Sequence, residues 1–187
     1  MIIYIHGFGS SGGGTKAVET IEFFKNDIVL APTLPIEPVQ AIDFLSNEIE
    51  KAGEKVFLIG SSLGGFYSII LSAKYNISAA LINPAVNAFS GLRGYIGMQT
   101  RDNGEVFEWK EEHVNQLEEM NKKYFTRLNG LNIMLLLAKD DELLPYEKTL
   151  SLIKNPGKTI ILDECTHRFL KYKEVLPEIK SFFESRL

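Results

Sequence analysis

The chain has a single cysteine, Cys165, and only three histidines, His6, His113 and His167. One thiol excludes an intramolecular disulfide framework. No two of the histidines stand at metal-ligand spacing, so no metal site is expected. Neither sign of charge dominates. The 20 Lys and Arg residues against 24 Asp and Glu leave a formal net charge of −4, which argues against nucleic-acid or polybasic membrane binding. Long apolar runs are missing too. The longest, such as Met134 to Ala138, fall far short of the roughly 18 residues that a membrane-spanning helix needs. The opening Met-Ile-Ile-Tyr-Ile-His carries no basic leader. With the lone cysteine, this leads to the expectation of a cytoplasmic, reducing environment. Low-complexity tails and internal repeats are also absent.

What is present is an ordinary globular chain of 187 residues, 45% of them hydrophobic. At about 100–200 residues per domain, one domain spanning 1–187 is expected. Six short apolar segments read as strands: Ile2 to Ile5, Asp27 to Leu30, Val56 to Ile59, Ala79 to Ile82, Ile133 to Ala138 and Thr159 to Leu162. Between them run helical periodicities. Ala17, Val18, Ile21 and Phe24 form one stripe. Ile36, Val39, Ile42, Leu45 and Ile49 form a second, with Pro38 in its first turn. Leu63 to Ala73 is a helix apolar on most sides, and further helical pieces run from Tyr146 to Ile153 and from Phe169 to Phe183. Pro177 is expected to break or restart the last of these. Near-continuous apolar strands alternating with helices predict an α/β fold, with a six-stranded, mostly parallel sheet covered on both faces.

The connection from 84 to 130 is longer than a simple crossover requires. It begins glycine-rich (Gly91, Gly94, Gly97, Gly104) and ends in a helix with Val114, Leu117, Met120 and Leu128 on one stripe. A lid-like insertion is expected there. Its cations Arg93, Arg101, Lys110 and Lys122 read as solvated surface, with nucleotide-borne phosphates as the alternative partner.

Gly60-Ser61-Ser62-Leu63-Gly64 has the G-x-S-x-G pattern and lies between a strand and a helix, the context that pattern requires. A nucleophile on so sharp a turn needs small residues two before and two after it, because strand and helix nearly touch. Gly60 and Gly64 meet this need for Ser62. Centred on Ser61, the same positions would hold Ile59 and Leu63. A serine hydroxyl needs a base within hydrogen-bond reach. On this architecture the acid and then the histidine follow the serine in the chain. His167, after the last strand, is the expected base. His113 sits on a charged helix and reads as solvated, while His6 reads as a brace for the first loop. Asp140 and Asp141 follow the fifth strand and Asp163 the sixth, so three carboxylates are open as the acid. Two amides are expected to form an oxyanion hole: Leu63 N–H at a helix N-terminus, and Phe8 N–H in the loop after the first strand. Cys165 reads as a packing residue.

Two rival readings use the same chain. Gly7-x-Gly9-x-x-Gly12 after a strand matches a dinucleotide fingerprint, giving a nucleotide-binding module built on loop 7–14. The second strand, however, ends Leu30-Ala31-Pro32-Thr33 without the ribose-binding acid, and no Gly-Lys-Ser/Thr triplet follows Gly12 or Gly14. A catalytically silent α/β domain is the other alternative.

Several pieces taken together resemble the YqiA-like family of small bacterial esterases in the α/β-hydrolase superfamily. They are His6-Gly7-Phe8 with Ser10-Ser11, Gly60 to Phe66, Asn83-Pro84-Ala85-Val86, Tyr95-Ile96-Gly97 with Gln99-Thr100, Asp141-Glu142-Leu143-Leu144 with Tyr146, and His167-Arg168-Phe169. The resemblance runs from the first strand to the last helix. It implies a compact α/β-hydrolase fold and a triad of Ser62, Asp141 and His167. It also implies hydrolysis of carboxylic esters, with acyl-CoA thioesters as a further class, and no cofactor.

Overall fold

A computed structural model describes all 187 residues. Eight strands and seven α-helices follow in the order β1 (Ile2–Ile5), α1 (Thr15–Phe23), β2 (Val29–Leu30), α2 (Pro38–Lys51), β3 (Phe57–Ser61), α3 (Leu63–Tyr75), β4 (Ala79–Ile82), α4 (Ala88–Leu92), β5 (Gly97–Thr100), β6 (Val106–Trp109), α5 (Glu111–Tyr124), β7 (Ile133–Ala138), α6 (Tyr146–Leu152), β8 (Lys158–Leu162) and α7 (Tyr172–Glu184). The main sheet has the order β2-β1-β3-β4-β7-β8, and every pair in it is parallel. The six strands expected from the sequence are the six of this sheet.

Alternation along the strands divides the core. Ile3, Ile5 and Leu58 pack under residues of α2, α3 and α5. Ile2, Tyr4, Phe57 and Ile59 pack under α1 and α7. Because all strands are parallel, their C-terminal ends share one edge. The chain goes from β1 out to β2 and then back to β3 on β1's other side. The loops after β1 and β3 therefore part at the switch point of the sheet, where α/β folds bind ligands.

Three local readings need correction. Pro177 does not break the last helix, which runs through it from Tyr172 to Glu184. Pro177 and Lys173 both lie on the exposed side, so the carbonyl that loses its intrahelical donor stays open to water, while Val175, Leu176, Ile179, Phe182 and Phe183 remain buried. On α1, Val18 and Ile21 are exposed, and Thr20 faces the core instead, its hydroxyl 2.7 Å from that of Tyr172. Within the insertion, the glycine-rich part contains an antiparallel hairpin, β5–β6, in the register Gln99 with Phe107. Val114, Leu117 and Met120 of α5 are buried as their spacing predicts. No helix is long and apolar enough to cross a membrane.

Candidate active site

Ser62 stands between β3 and α3 with φ 53° and ψ −115°, a region that costs a non-glycine residue about 1–3 kcal/mol. Its surroundings hold it there. The Ser62 N–H donates to the Ile82 carbonyl at 3.0 Å, and its own carbonyl accepts from Ala85 N–H at 3.0 Å. The two glycines are sterically required. A Cβ on Gly60 would meet the Ser68 hydroxyl and the Gly64 carbonyl, and one on Gly64 would run into the Ile5 carbonyl.

His167 Nε2 lies 3.1 Å from Ser62 Oγ. Its Nδ1 lies 2.9 Å from Asp141 Oδ2 and 3.1 Å from Oδ1. An ionised carboxylate only accepts, so Nδ1 carries the proton and the Nε2 lone pair faces the serine hydroxyl. The Asp141 side chain is 1% exposed, and its Oδ1 also accepts Leu143 and Leu144 N–H at 2.9 and 2.8 Å. Burial pushes this carboxyl up, but hydrogen bonds from His167, Leu144 and Leu143 outweigh it, and the net pKa lies below the ordinary aspartate value. The two other candidate acids are elsewhere. Asp140 accepts Glu164 N–H at 2.9 Å, and Asp163 pairs with Lys139 at 2.7 Å.

The loop after β1 abuts the serine. A Cβ on Gly7 would lie 3.3 Å from Ser62 Cβ and 3.9 Å from its Oγ. His6 braces this loop as expected. Leu34 N–H donates to His6 Nε2 at 3.0 Å, which leaves Nδ1–H to donate to the Gly7 carbonyl at 2.9 Å. Desolvation holds its pKa below the usual histidine value, with the hydrogen bond to Gly7 opposing. Leu63 N–H is the first amide of α3 and has no place in that helix's own ladder. Phe8, Ser62 and His167 together line a pocket of about 460 Å³, with Val86, Leu92, Leu143 and Lys148 also in its wall.

Two expectations about charged surroundings fail. His113 is not solvated. It is buried, with its ring centroid 4.9 Å from that of Trp109, and its Nδ1 accepts Lys110 N–H at 3.3 Å. Arg101 is not solvated surface either, being 6% exposed. All four cations of the insertion have carboxylate neighbours: Arg93 with Glu111, Arg101 with Glu105, Lys110 with Glu108 and Lys122 with Glu118.

Loop 7–14 does not form a phosphate cradle. Gly12 N–H already donates to Thr33 Oγ1 at 3.0 Å, and Ser10 and Gly14 N–H donate to Gly7 and Ser11 carbonyls. A Cβ on Gly12 would press into the Ala31 carbonyl, so this glycine serves close packing against the β2 loop. Nowhere do three or more His, Cys, Asp or Glu side chains converge to hold a metal ion.

The sequence reading assigned no role to Asn83 and Glu142, which fix the backbone of His167. Glu142 Oε2 accepts His167 N–H at 3.1 Å, which holds the Glu142 carboxyl below its ordinary pKa. Asn83, buried at the end of β4, donates from Nδ2 to the Thr166 and His167 carbonyls, both at 3.2 Å. Its Oδ1 accepts Ala138 N–H at 2.8 Å. A polar amide directly after a fully apolar strand is the signal that could have exposed it. Asn83→Ala would leave these groups unpaired and is expected to lower stability by about 1–3 kcal/mol, read as a fall in Tm with loss of turnover.

With this geometry in place, comparison with known proteins is decisive for the family. Residues 1–184 match the model of the uncharacterised protein family UPF0227. The chain belongs to the UPF0227 family. A UPF0227 protein of Pasteurella multocida is 28% identical over 189 residues, covering 97% of this chain and 98% of its own. One from Vibrio vulnificus is 27% identical over 191 residues, covering 99% of each chain. This is the YqiA-like group that the motifs resemble. Among solved structures, the monoacylglycerol lipase of Paleococcus ferrophilus superposes with a TM-score of 0.73 at 18% identity, covering 100% of this chain and 94% of the lipase. Est1E from Butyrivibrio proteoclasticus gives 0.73 at 16% identity, covering 98% and 86%. The fold that this UPF0227 chain shares with them is that of the α/β hydrolases.

Proposed function

We propose that this protein is a serine hydrolase that cleaves carboxylic esters of small molecules through an acyl-enzyme, with Ser62 as nucleophile, His167 as base and Asp141 as the acid that orients it. The observation that carries the reading is the line Ser62 Oγ, His167 Nε2, His167 Nδ1, Asp141 Oδ2, with links of 3.1 and 2.9 Å, opening into a largely apolar pocket. The lipase among the structural neighbours supports it.

Ser62 Oγ attacks the acyl carbon while its proton passes to Nε2. The carbonyl oxygen becomes an oxyanion held by Leu63 and Phe8 N–H. As the intermediate collapses, the bond to the leaving oxygen breaks and Nε2–H protonates the departing alkoxide. Water then enters, gives a proton to Nε2 and attacks the acyl-enzyme. The acid product leaves, and the proton returns to Ser62 Oγ. The imidazole must be neutral to act as base, so turnover falls on the acid side as the ring takes up a proton. Simple esters stand ahead of acyl-CoA thioesters, because the four insertion cations already have carboxylate neighbours.

The test is a fluorophosphonate probe followed by peptide mapping, run beside a panel of p-nitrophenyl esters of increasing acyl length. A single adduct on Ser62 with turnover of at least one ester is expected. No adduct on Ser62 overturns the assignment. Stabilisation against heat by NAD or ATP instead would favour the nucleotide-binding alternative, and neither response would favour a silent domain.

A further inference from the structure

A lid must be able to leave the surface it covers. The hairpin of the insertion is instead fastened to the loop after β1 in three ways. The Phe8 ring meets Tyr95, Phe107 and Trp109 edge-on, with centroids 5.6, 5.7 and 5.1 Å apart. Phe107 and Trp109 are both buried. In the turn of the hairpin, the buried Arg101 guanidinium donates from Nη1 to the Ser10 carbonyl at 2.9 Å and from Nη2 to the Leu34 carbonyl at 2.6 Å. Next to it, Asp102 N–H donates to the Gly9 carbonyl at 2.8 Å, and Asp102 Oδ2 accepts the Ser10 hydroxyl at 2.8 Å.

These contacts converge on Phe8 from both sides in sequence. Leu34 is held by both of its backbone groups, its N–H by His6 and its carbonyl by Arg101. Swinging the hairpin away would unpair two loop carbonyls and a buried cation at once, which is strongly unfavourable. Arg101 does not line the pocket at Ser62, so it touches no reacting atom.

We propose that the β5–β6 hairpin is a fixed buttress for the loop after β1, and that Arg101 is a positioning residue that sets the direction of Phe8 N–H and thereby the strength of the oxyanion site. This rests on the serine-hydrolase reading. The amide acts only on charge that develops in the transition state, so loosening the buttress lowers kcat and leaves KM in place. A lid that had lost its fastening would alter kcat and KM together.

The experiment compares wild type, Arg101→Met and Asp102→Ala in three measurements: steady-state ester hydrolysis, affinity for an alkyl boronic acid that forms a tetrahedral adduct on the serine, and amide exchange of the segment 7–10. Arg101→Met is expected to lose about 10- to 100-fold in kcat with KM unchanged. Boronate affinity should fall in parallel and exchange at 7–10 should rise. Asp102→Ala shows a smaller loss of the same kind. A folded Arg101→Met with wild-type kcat overturns the proposal, and so does a raised KM with kcat retained. If Arg101→Met does not fold, Asp102→Ala decides, and unchanged kcat and exchange in that variant overturn it. A wild type without serine chemistry defeats the hydrolase reading alone. The exchange comparison then still decides whether the hairpin holds the loop, and unchanged exchange overturns it.

Discussion

Ser62→Ala is expected to lower ester turnover by about 10⁶-fold, the scale on which removing the nucleophile of such a triad acts, while Ser61→Ala keeps turnover near that of wild type. The two serines are neighbours, but only Ser62 occupies the left-handed turn that brings its hydroxyl to His167. Ser61 is the last residue of β3 and is buried in the sheet. The measurement is p-nitrophenyl ester hydrolysis at saturating substrate, with folding checked by circular dichroism. The reverse pattern would move the nucleophile and defeat the site as drawn.

Asp141→Asn is expected to cost about 10⁴-fold in kcat while preserving the fold. The reason lies in which oxygen the backbone already holds. Oδ1 accepts both Leu143 and Leu144 N–H, so an asparagine would keep its carbonyl there and turn its amide toward His167 Nδ1. Two donors cannot face each other. The ring would shift its proton to Nε2, and the lone pair that must accept from Ser62 would be gone. Asp140→Asn serves as the control and stays near wild type, because its link to Glu164 N–H needs only an acceptor. The depressed Asp141 pKa adds a sign to the pH dependence of stability. A carboxyl held below its unfolded value contributes stability above that value and loses it as pH falls through the folded one. Thermal melts between neutral pH and about pH 3 should therefore show a smaller acid-side decline in Asp141→Asn than in wild type.

Much of the scaffold was legible because its signals were local and strong. The six strands announced themselves as short apolar runs, and the glycines around Ser62 as a pattern that only a tight elbow explains. The order of serine before histidine singled out His167, which the structure places beside Ser62. Asp140 against Asp141 was not decidable from spacing, since two identical side chains differ only in where the loop turns them. The hairpin was hidden by its glycines and by strands of four residues, too short to establish an alternation. His113 and Arg101 were misread for a common reason. Their neighbours in sequence are charged, but their neighbours in space are Trp109 and Phe107, supplied by tertiary packing. Pro177 was misread because a proline's effect depends on which side of the helix loses its donor.

The contact between Ser62 and His167 joins residues 105 positions apart and crosses three sheet neighbours, from β3 through β4 and β7 to β8. Such distant pairings form late, after the intervening strands have docked. During synthesis on the ribosome the hydroxyl would emerge long before its imidazole, and a chain that opens at its C-terminal strand would lose the imidazole first. Chemical reactivity is thereby tied to completed assembly, so incomplete or damaged copies are harmless to the acyl compounds around them.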